Sequence, residues 1–147
     1  MVFIIAIILF WSADSEKNRI DVSLVQCIDG DTAWFLVNDV VERVRFLSID
    51  APELDQPLGM MIGDYTCQRM QSAIKLKIEM DNKAYRDNYD RLLAWIWVDG
   101  DLLQLELISK GYARVAYLFD DYKYNDQLIR AEQRSKSSGL GIWGLSD

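Results

Sequence analysis

The sequence predicts an α+β, mainly β domain, a small five-stranded Greek-key barrel with about three helices, on three observations. Five short segments between residues 20 and 98 carry strand-like patterns, and turn-forming residues separate the first three. Helical patterns interrupt or follow these strands without the βαβ alternation of a parallel sheet. With 147 residues, 50% of them hydrophobic, and only 2 prolines, the chain has material for one core and little for a second.

The elements follow in order. "DVSLVQCI" (21–28) reads as a strand and runs into the tight "DGD" at 29–31; "TAWFLV" (32–37) meets the turn-forming Asn38 and Asp39. "VERVRFLSI" (41–49) completes a meander. A hairpin turning at Asn38-Asp39 pairs residues whose numbers sum to about 77 to 79. That register sets Asp31 opposite Leu47 or Ser48, with Asp50 just past it, inside the roughly 7 to 8 Å diagonal reach of cross-strand neighbours. A loop with Pro57 and Gly59 leads to a helix over about 62–74. "IKLKIEM" (74–80) alternates apolar and charged residues, and "LLAWIWV" (92–98) is apolar on both faces, as a central strand should be. Asp101 is expected to cap a second helix, with Gln104 as its box partner and Gly111 as the stop. A third helix spans about 121–137. Five strands without βαβ units match the oligonucleotide/oligosaccharide-binding (OB) fold.

Residues 2–11, "VFIIAIILFW", are ten consecutive apolar residues, too few for a spanning helix of about 20. Segment 1–17 therefore reads as an export signal or anchor stub with its linker, ahead of a domain at 18–147, although it lacks a basic start and an A-x-A cleavage site. An ordinary buried strand or helix is the alternative. The first reading implies an extracytoplasmic location, secreted or membrane-anchored; the second implies a cytoplasmic one.

Composition narrows the chemistry. There is no histidine, which removes the commonest general base and metal ligand and every Ser-His or Cys-His pair. Catalysis must run on carboxylates, arginines and tyrosines. A formal net charge of -7 argues against broad attraction to nucleic acid or anionic membrane, so a polyanionic substrate would be held locally. Cys27 and Cys67 have no Cys-x-x-Cys spacing; they are either free or paired with each other. Against this background "RFLSIDAPE" (45–53) stands out, an arginine within an apolar strand and two carboxylates at its mouth.

Together with "IDGDT" (28–32), "DNYDRLLAWIWVDG" (87–100), "GYARVAY" (111–117) and "AEQRSKSSGLGIW" (131–143), that stretch resembles the staphylococcal nuclease (thermonuclease) family from about residue 20 to 143. The order of the motifs matches, as do the spacings of fourteen from Asp31 to Arg45 and five from Arg45 to Asp50. The resemblance implies a Ca²⁺-dependent nuclease acting on DNA and RNA as a monomer with no stable protein partner. It places Ca²⁺ on Asp31, Asp50 and the backbone carbonyl of Ala51, where the family's nuclease prototype has threonine. An oxygen-only site suits that hard cation. Glu53 matches the general base, and Arg45 and Arg91 match the arginines that grip the scissile phosphate. Asp87, Asn88, Tyr89 and Tyr117 match substrate-contacting positions. Asn88 stands where the prototype has lysine, and Phe119 where it has tyrosine. Taken singly these residues have plainer readings: Asp31 as a turn residue, Asp50 and Glu53 as solvated acids, Arg91 as a surface ion pair, the tyrosines as rim aromatics. The competing function is a non-catalytic module of the same fold that binds nucleic acid or protein.

Overall fold

The computed structural model describes residues 16–146, so the apolar run at 2–11 and the signal or anchor expected there lie outside the described residues. β1 (Arg19–Asp21) and β2 (Ser23–Cys27) are halves of one interrupted strand, with Val22 between them. β3 (Thr32–Val37) and β4 (Val40–Phe46) form the expected hairpin. Asn38 and Asp39 take φ of 49° and 67°, the left-handed pair that a two-residue turn requires. Every pair in the hairpin sums to 77, from Val37 opposite Val40 to Thr32 opposite Arg45. Ala33, Phe35, Val44 and Phe46 are thereby turned into the core.

β6 (Leu76–Glu79) pairs antiparallel with β7 (Leu92–Val98), and β7 joins the hairpin by running parallel to β4. The hydrogen-bonded path is β1-β6-β7-β4-β3-β2. Its two ends are the halves of the first strand, which are joined by the chain and do not pair with each other. The five expected strands are all present, but the sheet is not a barrel closed by hydrogen bonds. The additional pieces are short: β5 (Ile49–Asp50) pairs with β9 (Arg114–Val115), and β8 (Asp101–Leu102) folds back on β7. Among the described residues the α-helices are α1 (Gly59–Gln71), α2 (Leu103–Ser109) and α3 (Asn125–Ser137).

Four local expectations are corrected. The third strand stops at Phe46, because Ser48 turns into the left-handed region at φ 63°, and Asp31 lies opposite Phe46 in the 77 register, accepting the Phe46 N–H on its backbone carbonyl at 2.9 Å. The first helix spans 59–71, not 62–74, since Ile74 and Lys75 donate their N–H groups to Asp99 Oδ1 in a separate turn. Asp101 caps nothing: the Asp99-Gly100 turn draws it into β8, and the fully buried Gln104 instead bonds the backbone of Ile96 and Ala94. The third helix begins at Asn125, because Tyr122 and Tyr124 are buried before it and the Lys123 N–H is held by Asp81.

α1 is tied to the sheet covalently. Cys27 of β2 and Cys67 of α1 form a disulfide with Cα atoms 5.7 Å apart. Beside it, Thr66 Oγ1 donates to the Gly30 carbonyl at 3.1 Å. A Cβ at Gly30 would lie 2.7 Å from the Ala51 Cβ, so only glycine lets the 29–31 turn approach the loop after β5 this closely.

Candidate active site

At the open end of the β3–β4 hairpin, Asp29 Oδ1 accepts the Asp31 N–H and fixes a tight turn, a local bond that aspartate forms readily. Asp31 leaves that turn pointing inward. Its Oδ2 accepts the Ala51 N–H at 2.8 Å and its Oδ1 the Thr32 hydroxyl at 3.1 Å. Opposite, Arg45 is only 9% exposed. Its Nη1 donates to the Phe46 carbonyl at 2.8 Å and its Nη2 to the Ile49 carbonyl at 2.9 Å, so the guanidinium holds together the turn between β4 and β5. This answers why an arginine interrupts an apolar strand. The same Nη2 lies 3.3 Å from Asp31 Oδ2 and 4.0 Å from Asp50 Oδ1. Asp31 and Asp50, far apart in sequence, thus converge on one nitrogen.

Burial pushes the Asp31 carboxyl up to about 7, offset in part by Arg45 and reinforced by the negative charge of Asp29. A single arginine therefore does not fully balance this buried acid. That is the environment in which a cation, binding the ionised form, has most to offer. The nearby donors are all oxygens, which fits calcium; Asp31 and Asp50 are the two carboxylates that converge on Arg45, and no group of three or more acidic, histidine or cysteine side chains forms a metal cluster among the described residues. Any ion here would complete its shell with carbonyl and water or substrate oxygens.

Arg91 sits at the end of the 81–91 loop. Asp87 Oδ2 accepts its Nε at 2.6 Å, and Asp87 Oδ1 accepts the N–H groups of Arg91 and Tyr89. Burial acts to raise the Asp87 carboxyl, yet these bonds outweigh it and hold the group below its ordinary range. Both terminal nitrogens of Arg91 are left without a protein partner among the described residues. Its guanidinium lies 5.3 Å from the Tyr89 ring centroid, and that of Arg45 lies 5.4 Å from the Tyr117 ring.

All but one of the residues expected from sequence line a single cleft of about 780 Å³: Asp31, Arg45, Asp50, Glu53, Asp87, Asn88, Tyr89, Arg91 and Tyr117. Ala51 is buried and does not line it; its N–H is the one that Asp31 Oδ2 accepts. Glu53 is exposed on the loop after β5, with its backbone N–H bonded to Gln56 and its carboxylate free of protein partners among the described residues. Phe119 and Tyr122 also line the cleft. Sequence reasoning missed Arg43, Lys83, Tyr85 and Arg86, which lie in the same wall. Strand period two, which puts Arg43 on the same side as Arg45, was the available signal for the first. Nothing local announces that Arg86 forks onto Glu42 through two bonds of 2.9 and 2.8 Å.

Residues 43–145 match the sequence profile of the staphylococcal nuclease homologue family. Among curated proteins, the chain is 40% identical over 133 residues to the SPbeta prophage-derived endonuclease YokF of Bacillus subtilis, covering 86% of this chain and 45% of that protein. It is 38% identical over 138 residues to endonuclease YncB of the same organism, covering 90% of this chain and 65% of that protein. Against the thermonuclease of Staphylococcus hyicus, identity is 27% over 135 residues, 88% of this chain and 79% of that protein. The chain therefore spans less than two thirds of the length of its two Bacillus subtilis relatives. With the family profile covering most of its length and the sheet and cleft just described, the chain belongs to the staphylococcal nuclease homologue family.

Proposed function

We propose that this chain is a calcium-dependent phosphodiesterase that hydrolyses DNA and RNA to 5′-hydroxyl and 3′-phosphate ends. The observation that carries the reading is convergence: Asp31, Arg45, Asp50, Glu53 and Arg91, from separate stretches of chain, line one cleft. Relatives named endonuclease and thermonuclease support it. Asp31, Asp50 and the Ala51 carbonyl would hold calcium, whose chemistry there is to offset charge on the phosphoryl oxygens. Glu53, its carboxylate uncommitted, takes a proton from the attacking water as the water oxygen bonds to phosphorus. The P–O5′ bond breaks, and O5′ leaves with the bonding pair and takes up a proton from solvent. Arg91 offers its two terminal nitrogens, and Arg45 the N–H groups not spent on carbonyls, to the equatorial oxygens as their charge builds. Tyr89 and Tyr117, with Asn88, flank the nucleotide, and Asp87 holds Arg91 in place. The disulfide supports an extracytoplasmic site of action, because such bonds persist in oxidising compartments.

Incubating the protein with plasmid DNA and with RNA, in calcium and in excess chelator, tests this reading. Hydrolysis in calcium that stops in chelator is expected. Magnesium should substitute poorly, since it demands tighter octahedral geometry. Full hydrolysis in chelator would refute the metal dependence, and binding without hydrolysis would favour the non-catalytic module.

A further inference from the structure

Of the cations lining the cleft, Arg45, Arg91, Arg86 and Lys83 each face a carboxylate at 3.6 Å or less. Arg43 does not. It is exposed, lines the same cleft, and makes no hydrogen bond, ion pair or ring contact among the described residues. On β4 it precedes Arg45 by two residues and shares its side of the strand, about 6.7 Å away along the backbone. That separation is comparable to the spacing of successive phosphates in an extended single strand.

A second residue accompanies it. Tyr85 is 64% exposed and lines the cleft, with the Arg86 guanidinium 5.4 Å from its ring centroid. Arg86 in turn forks onto Glu42, the residue before Arg43. One ion pair thus pins the loop carrying Tyr85 to the part of β4 carrying Arg43. Exposed aromatics beside an open cation make a stacking platform for bases with a hold on the backbone.

We propose that Arg43 and Tyr85 form a second nucleotide subsite, one step along the strand from the scissile phosphate. Arg43 holds the adjacent phosphate and Tyr85 stacks on its base. The assignment deepens the nuclease reading and rests on it. It also accounts for how a chain of net charge -7 holds more than one phosphate.

The test uses two substrates, one with a single phosphodiester and an oligonucleotide of about ten nucleotides, within the site sizes of such grooves. Binding of the labelled oligonucleotide is measured in chelator across salt concentrations, and hydrolysis of both in calcium. Arg43→Ala should lower the slope of log K against log salt by about 1. Tyr85→Ala should weaken oligonucleotide binding by about fivefold or more, with Tyr85→Phe close to wild type. For both alanine variants KM for the oligonucleotide should rise while kcat holds, and the single-phosphodiester substrate should be unaffected. Variants that bind with the wild-type slope and affinity, or that depress both substrates alike, would overturn the subsite. If the wild type hydrolyses both substrates while the variants change nothing, the subsite fails and the nuclease reading stands. If the wild type hydrolyses neither substrate, the nuclease reading fails and the subsite, defined by its place beside a scissile phosphate, falls with it.

Discussion

At the scale of single residues, Arg45 and Arg91 look equivalent in sequence and are not equivalent in the structure. Arg45 spends donors on the Phe46 and Ile49 carbonyls, whereas Arg91 spends only its Nε on Asp87. Lysine keeps the charge at either position but cannot supply a planar fork. Arg45→Lys and Arg91→Lys should each lower kcat by roughly a hundredfold, with a smaller effect on KM. Arg45→Lys should also cost stability, about 1 to 2 kcal/mol for the carbonyl bonds lost, and more than Arg91→Lys, which gives up one bond to Asp87. Steady-state kinetics at saturating calcium beside urea unfolding separates the two effects; near-normal kcat in either lysine variant would remove that arginine from the proposed chemistry. Asp87 gives a pH signature. Its carboxyl is held below the ordinary 3.8, so its stabilising contribution is present above that value and is lost as pH falls through the depressed one. Asp87→Asn should therefore destabilise at neutral pH, with a cost that shrinks in acid below 3.8. Urea midpoints measured over a pH series check this, and a cost that does not change with pH would contradict it. The oddity of an arginine in an apolar strand was visible in the sequence; its bonds to two carbonyls were not, because they depend on a turn at Ser48 that no residue type there demands.

At the scale of elements, what was legible was what is local. The Asn38-Asp39 turn set the hairpin register, and alternation found the strands, because both signals sit within a few residues. Helix starts were misplaced because α1 begins after Leu58 in the left-handed conformation with no side-chain cap, and α2 likewise lacks one. A capping box that exists only as spacing gave way to the tertiary demand that Gln104 satisfy β7. The disulfide could not be read either, since Cys27 and Cys67 are 40 residues apart and only the packing of α1 brings them together. Closing a loop of that length should stabilise the fold by on the order of 4 kcal/mol. Replacing both cysteines by serine is expected to lower unfolding free energy by about that much in urea titrations. Because α1 also buttresses Gly30 through Thr66, the proposed hydrolysis should be lost at a lower temperature than in the wild type. A double-serine protein as stable as the parent would show that packing alone holds α1.

At the scale of the whole molecule, the fold's work is to gather the cleft from separate stretches: the 29–31 turn, β4, the loop after β5, the 81–91 loop and residues 117–122. The hairpin register brings Asp31 near Asp50, but no local pattern predicts the rest of that gathering. The ordered motifs did, through the family they resemble, and the residues they left out, Arg43 and Tyr85 above all, lie in the same wall without belonging to any motif. With a chain charge of -7, a polyanion in the cleft would have to be held by a few local contacts. The central claim is that this cleft cleaves a phosphodiester and does not merely bind it. The most direct measurement is single-turnover hydrolysis of a defined oligonucleotide in calcium by wild type and Glu53→Gln, with binding measured in parallel. Wild-type cleavage, a loss of roughly 10²-fold or more in the variant, and unchanged binding are predicted, on the scale of removing a general base. A folded variant that cleaves within threefold of wild type would contradict the role of Glu53, and a wild type that binds without cleaving would contradict the claim itself.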